Sequence, residues 1–125
     1  MKTKLLIVSI IGASAVAFGA LGAHALKSIL TETELQSFHT AVRYQIMHAL
    51  FLLLLIGFEE KIRIKVPFTL ALLGIILFSG SIYLLVLDEY FGLNLKFLGP
   101  ITPIGGMLLI TSWLTLGIIN YRMFK

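Results

Sequence analysis

The sequence predicts an all-α membrane protein, four transmembrane helices in a compact bundle, and three observations lead there. Hydrophobic residues make up 58% of the 125 positions and charged residues only 13%, with a mean hydropathy of +1.00. A soluble domain carries about 25% charged residues, so this chain lacks the polar surface to cover itself. The apolar residues fall in four long blocks, and about 20 such residues cross a bilayer as one helix. Finally, the ten basic residues flank those blocks instead of forming a run. The net charge of +4 therefore reads as topology, and no nucleic-acid partner is expected. With no cysteine there is no disulfide framework or thiol nucleophile.

The expected spans are residues 5–26, 38–58, 66–87 and 101–120, within one integral-membrane domain covering residues 1–125. The first block, with its basic start and its Ala23-His24-Ala25 ending, has the outline of a secretory signal. Its apolar stretch is longer than the roughly 7–15 residues of a signal core, so a span is expected. Before the second block, Thr31-Glu32-Thr33-Glu34 has the pattern of a capping box. A helix starting there and running to Phe58 would be about 40 Å long, more than the roughly 30 Å of hydrocarbon. Its first third should protrude or lie along the surface. The third block carries Phe78-Ser79-Gly80-Ser81-Ile82-Tyr83 in its outer half. The fourth enters through Gly99-Pro100-Ile101-Thr102-Pro103-Ile104-Gly105-Gly106, with Thr102 placed to cap the first turn.

Orientation follows from Lys and Arg. Four spans put Lys2, Lys4, Lys61, Arg63, Lys65, Arg122 and Lys125 on one side and only Lys27, Arg43 and Lys96 on the other. Both termini are expected in the cytoplasm, and the protein in the cell membrane as a multi-pass chain. The polar residues of the spans then gather toward the outer half: His24, Tyr44, Gln45, His48, Ser79, Ser81, Tyr83 and Thr102. An ionisable group inside a span is a functional hypothesis by default, which singles out His48. Its depth predicts an inward ring meeting polar groups of the third or fourth span, with Ser79, Ser81 and Tyr83 at matching depth and Thr102 nearer the surface. Arg43 and His39, on another stripe of the same helix, face headgroups. Such a cluster is either interhelical glue or a ligand site. Small residues at 12, 15, 19 and 22 give the first span a face for close helix contact.

Known chemistries find little support. The three histidines lie on two helices with no carboxylate in the spans, so no metal or other cofactor is expected. Ser79 or Ser81 near His48 has no hydrolase motif around it, and there is no P-loop or dinucleotide fingerprint. An enzyme ranks third. Ahead of it stand a membrane protein that binds a lipid, small molecule or protein partner through the polar cluster and, as the alternative, an oligomeric small transporter, channel or proton-linked subunit. Membrane lipids and a homo-oligomer are the expected partners.

Four segments together, FGALGAHAL (18–26), TAVRYQIMHAL (40–50), LFSGSIYLLVL (77–87) and TPIGGMLLITSW (102–113), resemble a small bacterial membrane family. It is catalogued as domain of unknown function 423, or uncharacterised protein family 0382, and has a eukaryotic relative among small transmembrane proteins. The resemblance covers nearly the whole chain. It implies a four-helix polytopic protein of the cytoplasmic membrane and supplies no activity. The family's pattern falls on His24, Tyr44, Gln45, His48, Ser79, Gly80, Ser81, Thr102, Pro103, Gly105 and Gly106. Position 39 is His where the family often carries an acidic or other polar residue, which weakens a shared role for His39.

Overall fold

A computed structural model describes residues 1–88 and 90–121. Four α-helices make up the described chain: α1 (Lys2–Ala23), α2 (Glu32–Gly57), α3 (Lys65–Leu87) and α4 (Ile101–Tyr121). All four are long and apolar enough to cross a membrane. Arg122 and Lys125, part of the charge asymmetry, lie outside the described residues.

Local chemistry sets most helix ends. The capping box forms: Thr31 Oγ1 accepts the Glu34 N–H at 3.3 Å, and Glu34 accepts the Thr31 N–H at 2.8 Å. Pro67 sits in the first turn of α3, where its missing N–H leaves no helix bond unmade. α1 stops at Ala23, short of the expected Leu26. At His24 the backbone leaves helical angles and its N–H is shared between the Ala20 and Leu21 carbonyls. The chain then passes through a 3₁₀ turn, Leu26–Ser28, into α2. Asp88 organises the other long connection, its carboxylate accepting the Leu95 N–H and its carbonyl the Leu93 N–H. Gly92 supplies that turn's left-handed residue, φ 62°.

Backbones pack in chain order: α1 on α2, α2 on α3, α3 on α4, with no direct backbone approach between α1 and α4 among the described residues. α2 and α3 are thus the central pair. The buried core, with Leu52, Leu55, Phe68, Ala71, Ile75 and Leu109 among its members, fills the half nearer the termini.

The tightest seam is α3 against α4. A Cβ on Gly105 would lie 2.3 Å from the Phe78 backbone nitrogen, and one on Gly74 would lie 2.5 Å from Leu109 Cδ2. Only glycine lets these backbones come so close. On α1 the small face is used in part. Gly22 packs on Phe38 and His39, Ala15 is buried and Gly19 meets Val42, whereas Gly12 has no neighbour within 4 Å of its Cβ position.

Candidate functional site

The polar residues of the spans do not form one cluster. They separate into four sets, each fixed by the azimuth of its helix, and His24 stands outside all of them. Gln45 is the hub of the first. Its Nε2 donates to the Ile11 carbonyl at 2.9 Å and to Ser14 Oγ at 2.8 Å, while its Oε1 accepts the Tyr83 hydroxyl at 2.7 Å. One side chain thereby joins α1, α2 and α3. The Tyr83 ring packs edge-on against Phe18 and tilts against Phe38, with centroids at 4.8 and 5.1 Å.

Ser79 is buried and donates to the Ala41 carbonyl at 2.8 Å, tying α3 to α2. Ser81 pairs with Thr102 at 2.6 Å, tying α3 to α4. Thr102 therefore bonds across to a neighbouring helix and does not cap its own as expected. His24 is exposed at the end of α1 and makes no side-chain hydrogen bond to the others. His39 and Arg43 line a separate depression of about 560 Å³ with Gln36, Thr40 and Val42.

His48 does turn inward, 5% exposed, and meets α4. Its partner is Trp113, however, and none of the hydroxyl groups expected at that depth. Nδ1 lies 2.8 Å from the Tyr44 carbonyl, and Nε2 lies 3.2 Å from Trp113 Nε1. A carbonyl only accepts and an indole N–H only donates. The geometry therefore assigns the neutral tautomer with hydrogen on Nδ1. The expected partners are spent elsewhere because the α3 hydroxyls face Ala41 and Thr102. Among the described residues no group of three His, Asp or Glu side chains is placed to hold a metal ion.

Beside His48 lies an open groove of about 410 Å³ between α2, α3 and α4. Tyr44, Met47 and His48 form one wall, Gly106, Ile110 and Trp113 the other, and Phe78 and Leu109 the floor. Gly106 keeps the groove open, since a Cβ there would sit 3.6 Å from the Phe78 ring without touching backbone. Trp113 is 54% exposed and its ring lies 4.2 Å from that of Phe51. The Tyr44 ring stacks near His48 and packs on Phe78 at 4.8 Å. Its hydroxyl has no hydrogen-bond partner among the described residues, which makes it the unspent polar group of the groove.

Three contacts escape a reading of the sequence. Trp113 reads as a packing residue, although a mid-span indole N–H needs a partner. Ser112 is fully buried and donates to the Pro67 carbonyl at 2.7 Å. Asn120 accepts the Arg63 N–H at 2.7 Å and donates to the Arg63 carbonyl at 3.2 Å, fastening the α2–α3 turn to α4. Each depends on a pairing dozens of residues away in the chain.

Comparison with known proteins gives a consistent family. The profile described as "Protein of unknown function (DUF423)" matches residues 18–106. A UPF0382 membrane protein of Staphylococcus aureus is 37% identical over 98% of each chain. UPF0382 membrane protein YwdK of Bacillus subtilis is 36% identical over 91% of this chain and 92% of its own. A UPF0382 membrane protein of Haemophilus influenzae is 34% identical over 100% of this chain and 97% of its own. No solved structure matches.

Proposed function

This chain belongs to the DUF423 family of UPF0382 membrane proteins, and from that premise we propose that it binds the apolar part of an amphiphile in the groove between α2, α3 and α4. The observation that supports this reading is the Tyr44–His48–Trp113 groove itself. Its volume of about 410 Å³ is in the range of small-molecule sites. Its walls are apolar and aromatic, and the Tyr44 hydroxyl is available to orient a polar end. His48 is not the ligand's partner in this reading. Both its nitrogens are engaged, so it acts as a positioning residue that holds Trp113 as one wall.

The internal pairing of Gln45, Tyr83, Ser79, Ser81 and Thr102 favours a holding role for those residues. A proton-linked subunit would need a chain of exchangeable groups across the spans. The same pairing divides those groups into closed sets, so the binding reading ranks above the transport one. The setting in this proposal is the cytoplasmic membrane with both termini inside, on the charge asymmetry.

Trp113 is the single tryptophan of the chain, so its fluorescence reports on this groove alone. In vesicles of lipids brominated midway along the acyl chain, Trp113 emission should be quenched strongly. Gly106→Leu, which fills the groove, should reduce that quenching at least twofold while the protein still folds. Equal quenching in both proteins would refute the groove reading. For orientation, a cysteine at Lys2 should resist an impermeant thiol reagent in intact cells, and one at Glu32 should react.

A further inference from the structure

The end of the molecule that carries the chain's N-terminus holds a second cleft, of about 690 Å³, between α1, the α2–α3 turn and the end of α4. We propose that this cleft binds the headgroup of an anionic phospholipid, with the phosphate held by Arg63 and Lys65. The proposal is independent of the groove beside Trp113.

Four charged side chains line the cleft: Lys4, Glu59, Arg63 and Lys65. Two of them cancel, because the Lys4 ammonium donates to the Glu59 carboxylate in the ion pair that joins α1 to the turn. Glu59 is held below the usual carboxylate range mainly by that hydrogen bond, so it stays charged and keeps Lys4 occupied. Arg63 and Lys65 are exposed and have no carboxylate partner among the described residues. They are the excess positive charge.

The turn that presents them is built. Asn120, 6% exposed, clamps both the N–H and the carbonyl of Arg63 and also donates to the Leu116 carbonyl at 2.9 Å. The Arg63 backbone is thus fixed to α4 while its guanidinium is free to reach into the cleft. A planar guanidinium engages two phosphate oxygens at once, and an ammonium two residues on supplies a second charge.

The remaining wall selects a lipid over free phosphate. Ile62, Val66 and Ile119 line it, and the last two belong to helices that continue into the membrane-spanning region. A phosphate ion leaves that surface unused, whereas a phospholipid covers it with the start of its acyl chains. Basic sites next to span ends are where lipid headgroups bind. A neighbouring cleft of about 840 Å³ is larger but is lined by Glu59 and Glu60 without Arg63 or Lys65, so its charge does not suit an anion.

Native mass spectrometry of the full-length protein, released from detergent with added dioleoylphosphatidylglycerol or dioleoylphosphatidylcholine, tests this. One phosphatidylglycerol should bind at least tenfold more tightly than phosphatidylcholine. At about 1 kcal/mol per cation near a lipid surface, R63Q/K65Q should bind phosphatidylglycerol roughly thirtyfold more weakly. R63K/K65R, which keeps both charges, and K27Q/K96Q, which removes two cations far from the cleft, should each bind phosphatidylglycerol within about twofold of the native protein. Equal binding of the two lipids, unchanged binding by R63Q/K65Q, or full displacement of the lipid by equimolar inorganic phosphate would overturn the proposal. A loss of binding by K27Q/K96Q equal to that of R63Q/K65Q would overturn it too, since net charge alone would then explain the affinity.

Discussion

Gln45 and His48 stand less than one helical turn apart on α2, with nearly equal burial, 6% and 5% exposed. Their surroundings are opposite. Gln45 is enclosed by α1 and α3, and its amide is fully engaged by Ile11, Ser14 and Tyr83. His48 is also hydrogen-bonded at both nitrogens, yet its partner Trp113 is itself exposed and borders a groove. The difference teaches that burial of a polar group inside a span does not distinguish glue from a site. What distinguishes them is whether the partner is sealed in as well.

Each seam of the bundle carries a bond from a side chain to a backbone carbonyl on the neighbouring helix. Gln45 reaches Ile11 across α1–α2, Ser79 reaches Ala41 across α2–α3, and Ser112 reaches Pro67 across α3–α4. Such bonds average about 0.6 kcal/mol in membrane proteins, up to nearly 2. Close packing at glycine supplements them.

The contrast between sealed and open regions can be broken experimentally, and the largest effect should come from the α3–α4 seam. Gly105→Ala places a Cβ against the α3 backbone and forces α4 outward. It should cost about 1–3 kcal/mol, seen as a lower midpoint of thermal unfolding in detergent. Gly106→Ala, one residue on, should change that midpoint little, because its Cβ meets only the side of the Phe78 ring. Gln45→Leu comes next, at about 2 kcal/mol, because it leaves the Tyr83 hydroxyl without its partner as well as removing two bonds. Trp113→Phe should be milder, about 0.5–1 kcal/mol, since it deletes one hydrogen bond at an open edge. If Trp113→Phe proves more costly than Gln45→Leu, the distinction between the two regions fails.

The smallest effect belongs to the junction of α1 with the α2–α3 turn. Glu59 has its pKa lowered by the Lys4 hydrogen bond first of all. A carboxyl whose folded pKa is depressed stabilises the fold above its unfolded pKa, and that contribution is lost as pH falls through the folded value. The midpoint of the native protein should therefore exceed that of Glu59→Gln at pH 7 by a small margin. The gap should close below the usual carboxylate range, near the ordinary value of 4.5 and under it. A gap that widens in acid would mean that Glu59 is destabilising where it stands.

The capping box at Thr31 and the inward turn of His48 were legible because each rests on local information. One is a spacing of three residues, and the other is depth within an apolar run. The four helices were legible for the same reason. The partners were not. That Ser81 meets Thr102, that Tyr83 meets Gln45, and that Trp113 meets His48 depends on how each helix is rotated about its axis. The weak amphipathicity of α1, α3 and α4 leaves that rotation unstated in the sequence. Asn120 shows the limit most plainly. In the sequence it is only the last residue of an apolar block, and in the structure it is the clasp on a turn that lies 57 residues earlier.

Because each helix lies against the one before it in the chain, assembly has a natural direction. As α2 enters the bilayer during synthesis, its docking surface on α1 is already present. The same holds for α3 on α2 and α4 on α3. No helix has to wait for a distant segment to be made, so little loop entropy opposes each step. The last act is the arrival of α4, which closes Asn120 over Arg63 and Trp113 beside His48. Both clefts are therefore completed only by α4: an intermediate with three helices inserted would have the Gln45 network complete, while the groove would lack its Trp113 wall and the basic cleft its Ile119 wall and the Asn120 clamp.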